Sequence, residues 1–181
     1  MKVELLPIIV TIGVAFIGYI ATYLNDLRLS KRKERLELIE KRINEFYGPL
    51  YISNMAGKTA YLTLLKKLGK KQVFDETDPP DEKQLKEWRI WSETVFKPLN
   101  NFQEELIYKN AHLLMDKEIP QCLIDFVTCV SEWKTILKKW ELGDFSEQTA
   151  MLDFPEELLE YTEQAYLKLK KKQLKLIGED K

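Results

Sequence analysis

The sequence predicts an all-α protein, in which an N-terminal single transmembrane helix is followed by a cytoplasmic helical bundle of about five or six helices. The first supporting observation is that residues 5–24 contain no charged side chain. As a helix they extend about 30 Å, the thickness of the hydrocarbon core of a bilayer. The second is that apolar residues recur at three- and four-residue steps through most of the remaining chain, with no alternating run long enough for a strand.

The apolar run has the properties of a membrane anchor rather than those of a cleaved signal peptide. Its start carries one basic residue, Lys2, which Glu4 offsets, and it is longer than the roughly 7–15 apolar residues of a signal. Residues 21–23 make a poor cleavage site. A buried core helix is the other alternative, but such helices rarely lack a polar face over this length. We therefore predict a short N-terminus and anchor over residues 1–26 and a helical domain over residues 27–181.

Basic residues follow the apolar run and hardly precede it, which predicts the orientation of the chain. Because Lys and Arg accumulate on the cytoplasmic side of a membrane, we expect the N-terminus outside and the domain in the cytoplasm. Tyr19 and Tyr23 are then expected at the inner headgroup level. The basic residues nearest to the run either set the topology alone or also contact anionic lipid headgroups; they are Arg28, Lys31, Arg32, Lys33 and Arg35.

The first helices of the domain are predicted from their apolar spacing and their breakers. An amphipathic helix over residues 27–47 is expected to end at Gly48-Pro49, since proline disfavours helical geometry at the residue before it. A second helix is expected from Pro49 to its C-cap residue Gly69. Residues 70–82 are polar and have no period, which indicates an exposed loop.

Prolines and glycines also mark the boundaries of the later helices. The helix that resumes after this loop is expected to be kinked or divided by Pro98. Pro120 opens the most regular apolar stripe of the chain, and Gly143 ends it. A last helix is expected to start after the N-cap residue Asp153 and to reach about residue 177.

The composition limits the partners and the redox chemistry of the protein. Its 28 basic and 29 acidic residues give a formal net charge of −1, whereas nucleic-acid-binding domains are clearly basic, so no nucleic acid is expected as a partner. Cys122 and Cys129 would share a helix face with their Cα atoms about 10 Å apart, which is too far for a disulfide. We expect both to be small core residues with free thiols.

The sequence carries no catalytic signature. It has no Gly-rich phosphate loop, no set of Cys or His at metal-binding spacings and no G-x-S-x-G motif. His112 is the only histidine, and a hydrogen-bonded structural histidine is more common than an acid–base catalyst. We therefore predict a protein that is not an enzyme, with no catalytic or metal-binding residues and no cofactor.

Four short segments resemble those of a group of uncharacterised bacterial proteins with an N-terminal span and a helical cytoplasmic domain. In chain order they are INEFYGPLY at residues 43–51, FKPLN at 96–100, KNAHLL at 109–114 and DFPEELLEY at 153–161. The resemblance implies a location in the bacterial inner membrane and carries over no catalytic residue. Some membrane proteins of similar build are associated with phage defence, which is an analogy of architecture alone.

Three features suggest contacts with other molecules. Within the predicted span, four small residues lie four, three and four positions apart: Thr11, Ala15, Gly18 and Thr22. They would let a second span approach closely and make the chain a homo-oligomer, although small residues are also frequent in single spans. Tyr47 and Tyr51 flank Gly48-Pro49, and they either fill a helix corner or line a partner groove. Residues 167–176 are basic, and are either a solvated helix end or a second contact with anionic lipid.

These observations favour a single-pass membrane protein whose cytoplasmic bundle binds or presents a protein partner. One alternative is a membrane effector of a phage-defence or toxin-type system that perturbs the bilayer when it clusters. The other is an enzyme whose carboxylate site has no recognisable motif.

Overall fold

All regular secondary structure in the described part of the chain is helical. The structure is a computed structural model that describes residues 5–179, with side chains from Pro7 onward. Over this range the one β-type feature is an isolated antiparallel bridge between Asp75 and Asp78. The predicted all-α class is therefore confirmed.

Within residues 5–179 the helices join into four continuous helical segments, fewer than predicted. A π-helical turn at Ile43–Tyr47 connects α1 to α2, and another at Ser92–Phe96 connects α3 to α4. The prediction of about five or six bundle helices is therefore wrong. The α-helices are α1 (Leu5–Arg42), α2 (Gly48–Leu68), α3 (Glu82–Trp91), α4 (Lys97–Asn110), α5 (Gln121–Glu141) and α6 (Glu157–Ile177).

The two π turns explain why the prolines do not end the helices. Inside a regular α-helix, a proline ring collides with the carbonyl group four residues earlier. Here the residue before each proline bonds five residues back, with Gly48 N–H donating to Ile43 O and Lys97 N–H donating to Ser92 O. The wider turn makes room for the ring, so Pro49 and Pro98 become early residues of the helices that follow.

Glycine at position 48 is required by the first of these turns. A Cβ atom added at Gly48 would lie 2.5 Å from the carbonyl oxygen of Ile43. That distance is well inside van der Waals contact, and the oxygen belongs to the backbone and cannot swing away. The Gly-Pro pair therefore continues the helix, where the sequence pattern suggested a break.

The chain divides into two compact units. One consists of Met1–Glu40 and Lys172–Lys181, and the other of Lys41–Lys171. The boundary predicted from the sequence, between residues 26 and 27, is a different one: it divides the membrane anchor from the cytoplasmic domain. That boundary stays a prediction.

The first unit contains a helix that is long and apolar enough to cross a membrane. None of its most apolar window is buried within the structure. The large apolar side chains from Ile8 to Leu24 are each between 40% and 69% exposed. A buried core helix, the alternative considered from the sequence, does not fit these described residues.

The second unit has a hydrophobic core formed by α2, α3, α5 and two loops. The indole N–H of Trp88 donates to Gln148 O at 2.8 Å, and that of Trp140 donates to Glu147 O at 2.8 Å. These bonds attach the loop after α5 to the core. The buried members are Leu64, Leu65, Val73, Trp88, Cys129, Ile136, Leu137, Trp140 and Ala150.

A buried polar layer connects α2, α4 and α6 in the same unit. Gln103 Nε2 donates to Asn54 Oδ1 at 2.7 Å and to Ser53 Oγ at 3.0 Å. Asn54 Nδ2 in turn donates to Thr162 Oγ1 at 3.2 Å. All four side chains are buried. Since a buried polar group without a partner costs about 1–3 kcal/mol, this layer holds the three helices in one register.

The Gly48→Ala substitution should destabilise the second unit. The added methyl group must displace the Ile43 carbonyl, and overpacking of this kind costs about 1–3 kcal/mol. We expect Tm to fall by roughly 2–4 °C for each kcal/mol lost. Thermal unfolding monitored by circular dichroism measures the change. The matched control is Gly57→Ala in the same helix, whose new Cβ meets only the end of the flexible Leu99 side chain. Equal Tm values for the two variants would contradict this account of the turn.

Candidate functional site

An open groove lies beside the first π turn. Its volume is about 360 Å³, at the small end of the roughly 300–1,000 Å³ range of ligand sites. The groove is lined by Ile43, Asn44, Gly48, Pro49, Tyr51, Ile52 and Tyr166. The widened backbone and the absent side chain of Gly48 shape one wall, and α6 supplies Tyr166.

Tyr51 is held in a fixed position in this groove. Its ring stacks on that of Tyr166 with centroids 5.5 Å apart and planes 27° from parallel. Its hydroxyl donates to Glu163 Oε1 at 3.1 Å. Partial removal from water, and then the bond to Glu163, raise the pKa of Tyr51. The phenol therefore stays protonated and presents a rigid, half-buried aromatic surface.

Tyr47 occupies a different environment from Tyr51, although the same two alternatives, a helix corner and a partner groove, were open for both. Tyr47 is fully buried, as a residue that fills a helix corner would be, and a partner contact through Tyr47 stays a prediction. Its hydroxyl accepts from Met115 N–H at 3.0 Å and bonds to Tyr161 Oη at 3.1 Å. Tyr161 donates its hydroxyl proton to Asp116 Oδ2 at 2.8 Å. In the hydrogen bond between the two phenols, Tyr47 is therefore the donor and Tyr161 the acceptor. Burial raises the pKa of both tyrosines.

Exposed apolar side chains continue from the groove along α2. Ile52 lines the groove and is 67% exposed, and Leu62 is 54% exposed. Met55, Leu62 and Ile52 share one face of the helix because they lie three and seven residues apart. We call these three residues the α2 strip. Together with the half-buried Tyr51 and Pro49 they make a partly exposed apolar surface.

A second concavity of about 580 Å³ lies between the end of α4 and the start of α5. Its lining is more polar than that of the groove and contains none of the predicted site residues. The lining consists of residues 116–121 and Tyr161.

The small residues of the predicted span-association stripe all lie exposed on α1. Thr11 Oγ1 donates to Pro7 O at 2.8 Å, and Thr22 Oγ1 donates to Gly18 O at 3.0 Å. Both hydroxyls are thus satisfied by their own helix. Ala15 and Gly18 leave a shallow face between them. Association through this face stays a prediction.

The predicted headgroup-contact residues are also exposed on α1, and one of them has a partner in the same unit. The Arg32 guanidinium donates to the carbonyl oxygen of Leu176 near the end of α6. No periodicity could have shown this contact, which joins residues 144 positions apart. The other four are Arg28, Lys31, Lys33 and Arg35.

The cysteines are free, and the histidine is exposed. Burial raises the pKa of the Cys129 thiol to about 11 and raises that of the half-buried Cys122. His112 lies in a short 3₁₀ turn at Ala111–Leu113. Within residues 5–179, no group of three or more His, Cys, Asp or Glu is arranged to hold a metal ion.

Comparisons with known protein families, with curated proteins and with solved structures found no match for this chain. The geometry of the groove and of α1 therefore carries the functional argument.

The two thiols should differ in reactivity. At about pH 8 only roughly one Cys129 thiol in a thousand is ionised, and it is buried. In the Cys122→Ser variant, we expect an aromatic disulfide reagent to label Cys129 about a hundredfold more slowly than an unstructured thiol. In the Cys129→Ser variant, the reagent should label Cys122 faster than it labels Cys129. Both variants should react alike in guanidinium chloride. Equally fast labelling of the two native variants would contradict the packing of α5.

Proposed function

We propose that this chain is a single-pass protein of the bacterial inner membrane, whose cytoplasmic helical bundle binds an apolar segment of a protein partner. The observation that carries the proposal is the exposure of every described large apolar side chain from Ile8 to Leu24. Exposed apolar surface costs about 25 cal/mol per Å², and soluble monomers rarely expose patches beyond a few hundred Å². A bilayer removes that cost.

The charges beside the span support the orientation. Five basic residues lie between Arg28 and Arg35, and only Lys2 precedes the apolar run. With the positive flank in the cytoplasm, the second unit is cytoplasmic as well.

The groove and the α2 strip support the choice of partner. An amphipathic helix places apolar anchors three, four and seven residues apart, and the exposed side chains of the α2 strip lie three and seven residues apart, so the strip offers an elongated apolar surface for such a helix. Tyr51 is already fixed by Tyr166 and Glu163, so binding there orders little new structure. Preorganised aromatic side chains of this kind are typical binding hot spots.

Site-specific photo-crosslinking in cells tests the partner. A photoreactive residue at Ile52 should give a discrete adduct with another protein, whereas one at Ile124, an exposed isoleucine of α5 outside the groove lining, should not.

Substitution then tests whether the groove itself binds. Ile52→Glu should reduce copurification of the crosslinked partner about tenfold or more, because an unpaired carboxylate would be buried on binding. Ile124→Glu is the matched control. An adduct pattern that is the same at both positions, or unchanged copurification of the Ile52→Glu variant, would contradict the proposed groove.

A further inference from the structure

The end of α6 lies along the part of α1 that follows the apolar run. Arg32 Nε donates to Leu176 O at 2.8 Å, and Arg32 Nη2 donates to the same oxygen. Gln173 Nε2 donates to Glu40 Oε1 at 3.3 Å. Because the residue number rises along α6 as it falls along α1, the two segments are antiparallel. All four residues belong to the first unit.

This contact unites two basic segments that are distant in sequence. Lys175 is exposed on the last turn of α6, beside the exposed basic residues of α1. Between positions 28 and 35, Glu34 is the only acidic residue. We call the combined set the basic collar; it consists of Arg28, Lys31, Arg32, Lys33, Arg35 and Lys175.

The collar lies within electrostatic reach of the bilayer surface. At 1.5 Å per residue, Arg28 is about 6 Å and Arg32 about 12 Å beyond Leu24 along α1. The headgroup layer adds about 5–7 Å on each side of the hydrocarbon core, and the Debye length is about 8 Å at physiological ionic strength. Since Arg32 contacts Leu176, the neighbouring Lys175 is held at the same level.

We propose that the two chain segments form one binding surface for anionic lipid headgroups, with Lys175 of α6 as a functional member. The inference rests on the proposed membrane span. Lys ammonium groups and the guanidinium donors of Arg bind phosphodiester oxygens, and each basic residue near an anionic surface contributes about a fivefold gain in attraction. Arg32 is the positioning residue: two of its five N–H donors bond to the last turn of α6, and the others stay available.

Lysine acetylation in nanodiscs tests this surface with the full chain. The protein is reconstituted in discs of phosphatidylcholine alone or with phosphatidylglycerol, acetylated briefly and analysed by mass spectrometry. We expect acetylation of Lys175 to be about fivefold slower in the anionic discs, and high salt to remove the difference. Lys58 and Lys66, exposed lysines of the second unit, are internal controls whose rates should not change.

The Arg32→Gln variant tests the positioning role. It keeps Lys175 but removes the charged donor to Leu176, so protection of Lys175 should fall while Lys31 stays protected. If Lys175 is acetylated equally fast in both kinds of disc while Lys31 is protected, the surface consists of α1 alone and the inference is overturned. Equal protection by inorganic phosphate in zwitterionic discs would overturn the lipid assignment. Failure of the chain to enter discs at all would instead refute the proposed span.

Discussion

The fold depends on one constraint: the apolar side chains of α1 have nothing within the described chain to cover them. In the second unit most large apolar side chains pack against each other, as Leu158 and Leu169 of α6 do, and the α2 strip is an exception. In the first unit, hydrogen bonds from Arg32 and to Glu40, in the polar continuation of the span-like helix, connect it to the last turns of α6. Lipid around the apolar part of α1, as proposed, would remove the cost of exposing these side chains to water.

The π turns let the helical backbone pass through both prolines. Gly48 and Pro49 are accommodated by an i→i+5 hydrogen bond, so the helical turns continue from residue 43 into α2. The same device at Pro98 keeps α3 and α4 in one rod. π turns are frequent at functional sites, and the first one forms a wall of the apolar groove. The π turn that accommodates the proline ring thus also shapes the surface that we propose binds a partner.

Much of the fold could be predicted from local sequence, and much of the candidate site could not. Apolar spacing predicted the helices, and Gly69, with φ of 69°, ends α2 as expected. The number of helices predicted from the sequence is wrong because Pro49 and Pro98 suggest helix breaks, and a proline after a π turn gives the same sequence pattern as a proline that ends a helix. Tyr47 and Tyr51 look alike in sequence, and only tertiary packing makes one a core residue and the other a groove residue. The bond from Arg32 to Leu176 joins distant segments, which no local pattern reveals.

Alkaline carbonate extraction of membranes from cells that express the full, unprocessed chain tests whether α1 is embedded in lipid. We expect the protein to stay in the membrane pellet and to be released only by detergent. The matched variant carries Val14→Arg and Ile17→Arg, each costing about 2.5–3.5 kcal/mol at the centre of a span, and should move to the supernatant or be degraded. Release of the unsubstituted protein by carbonate, without detergent, would contradict a helix embedded in lipid.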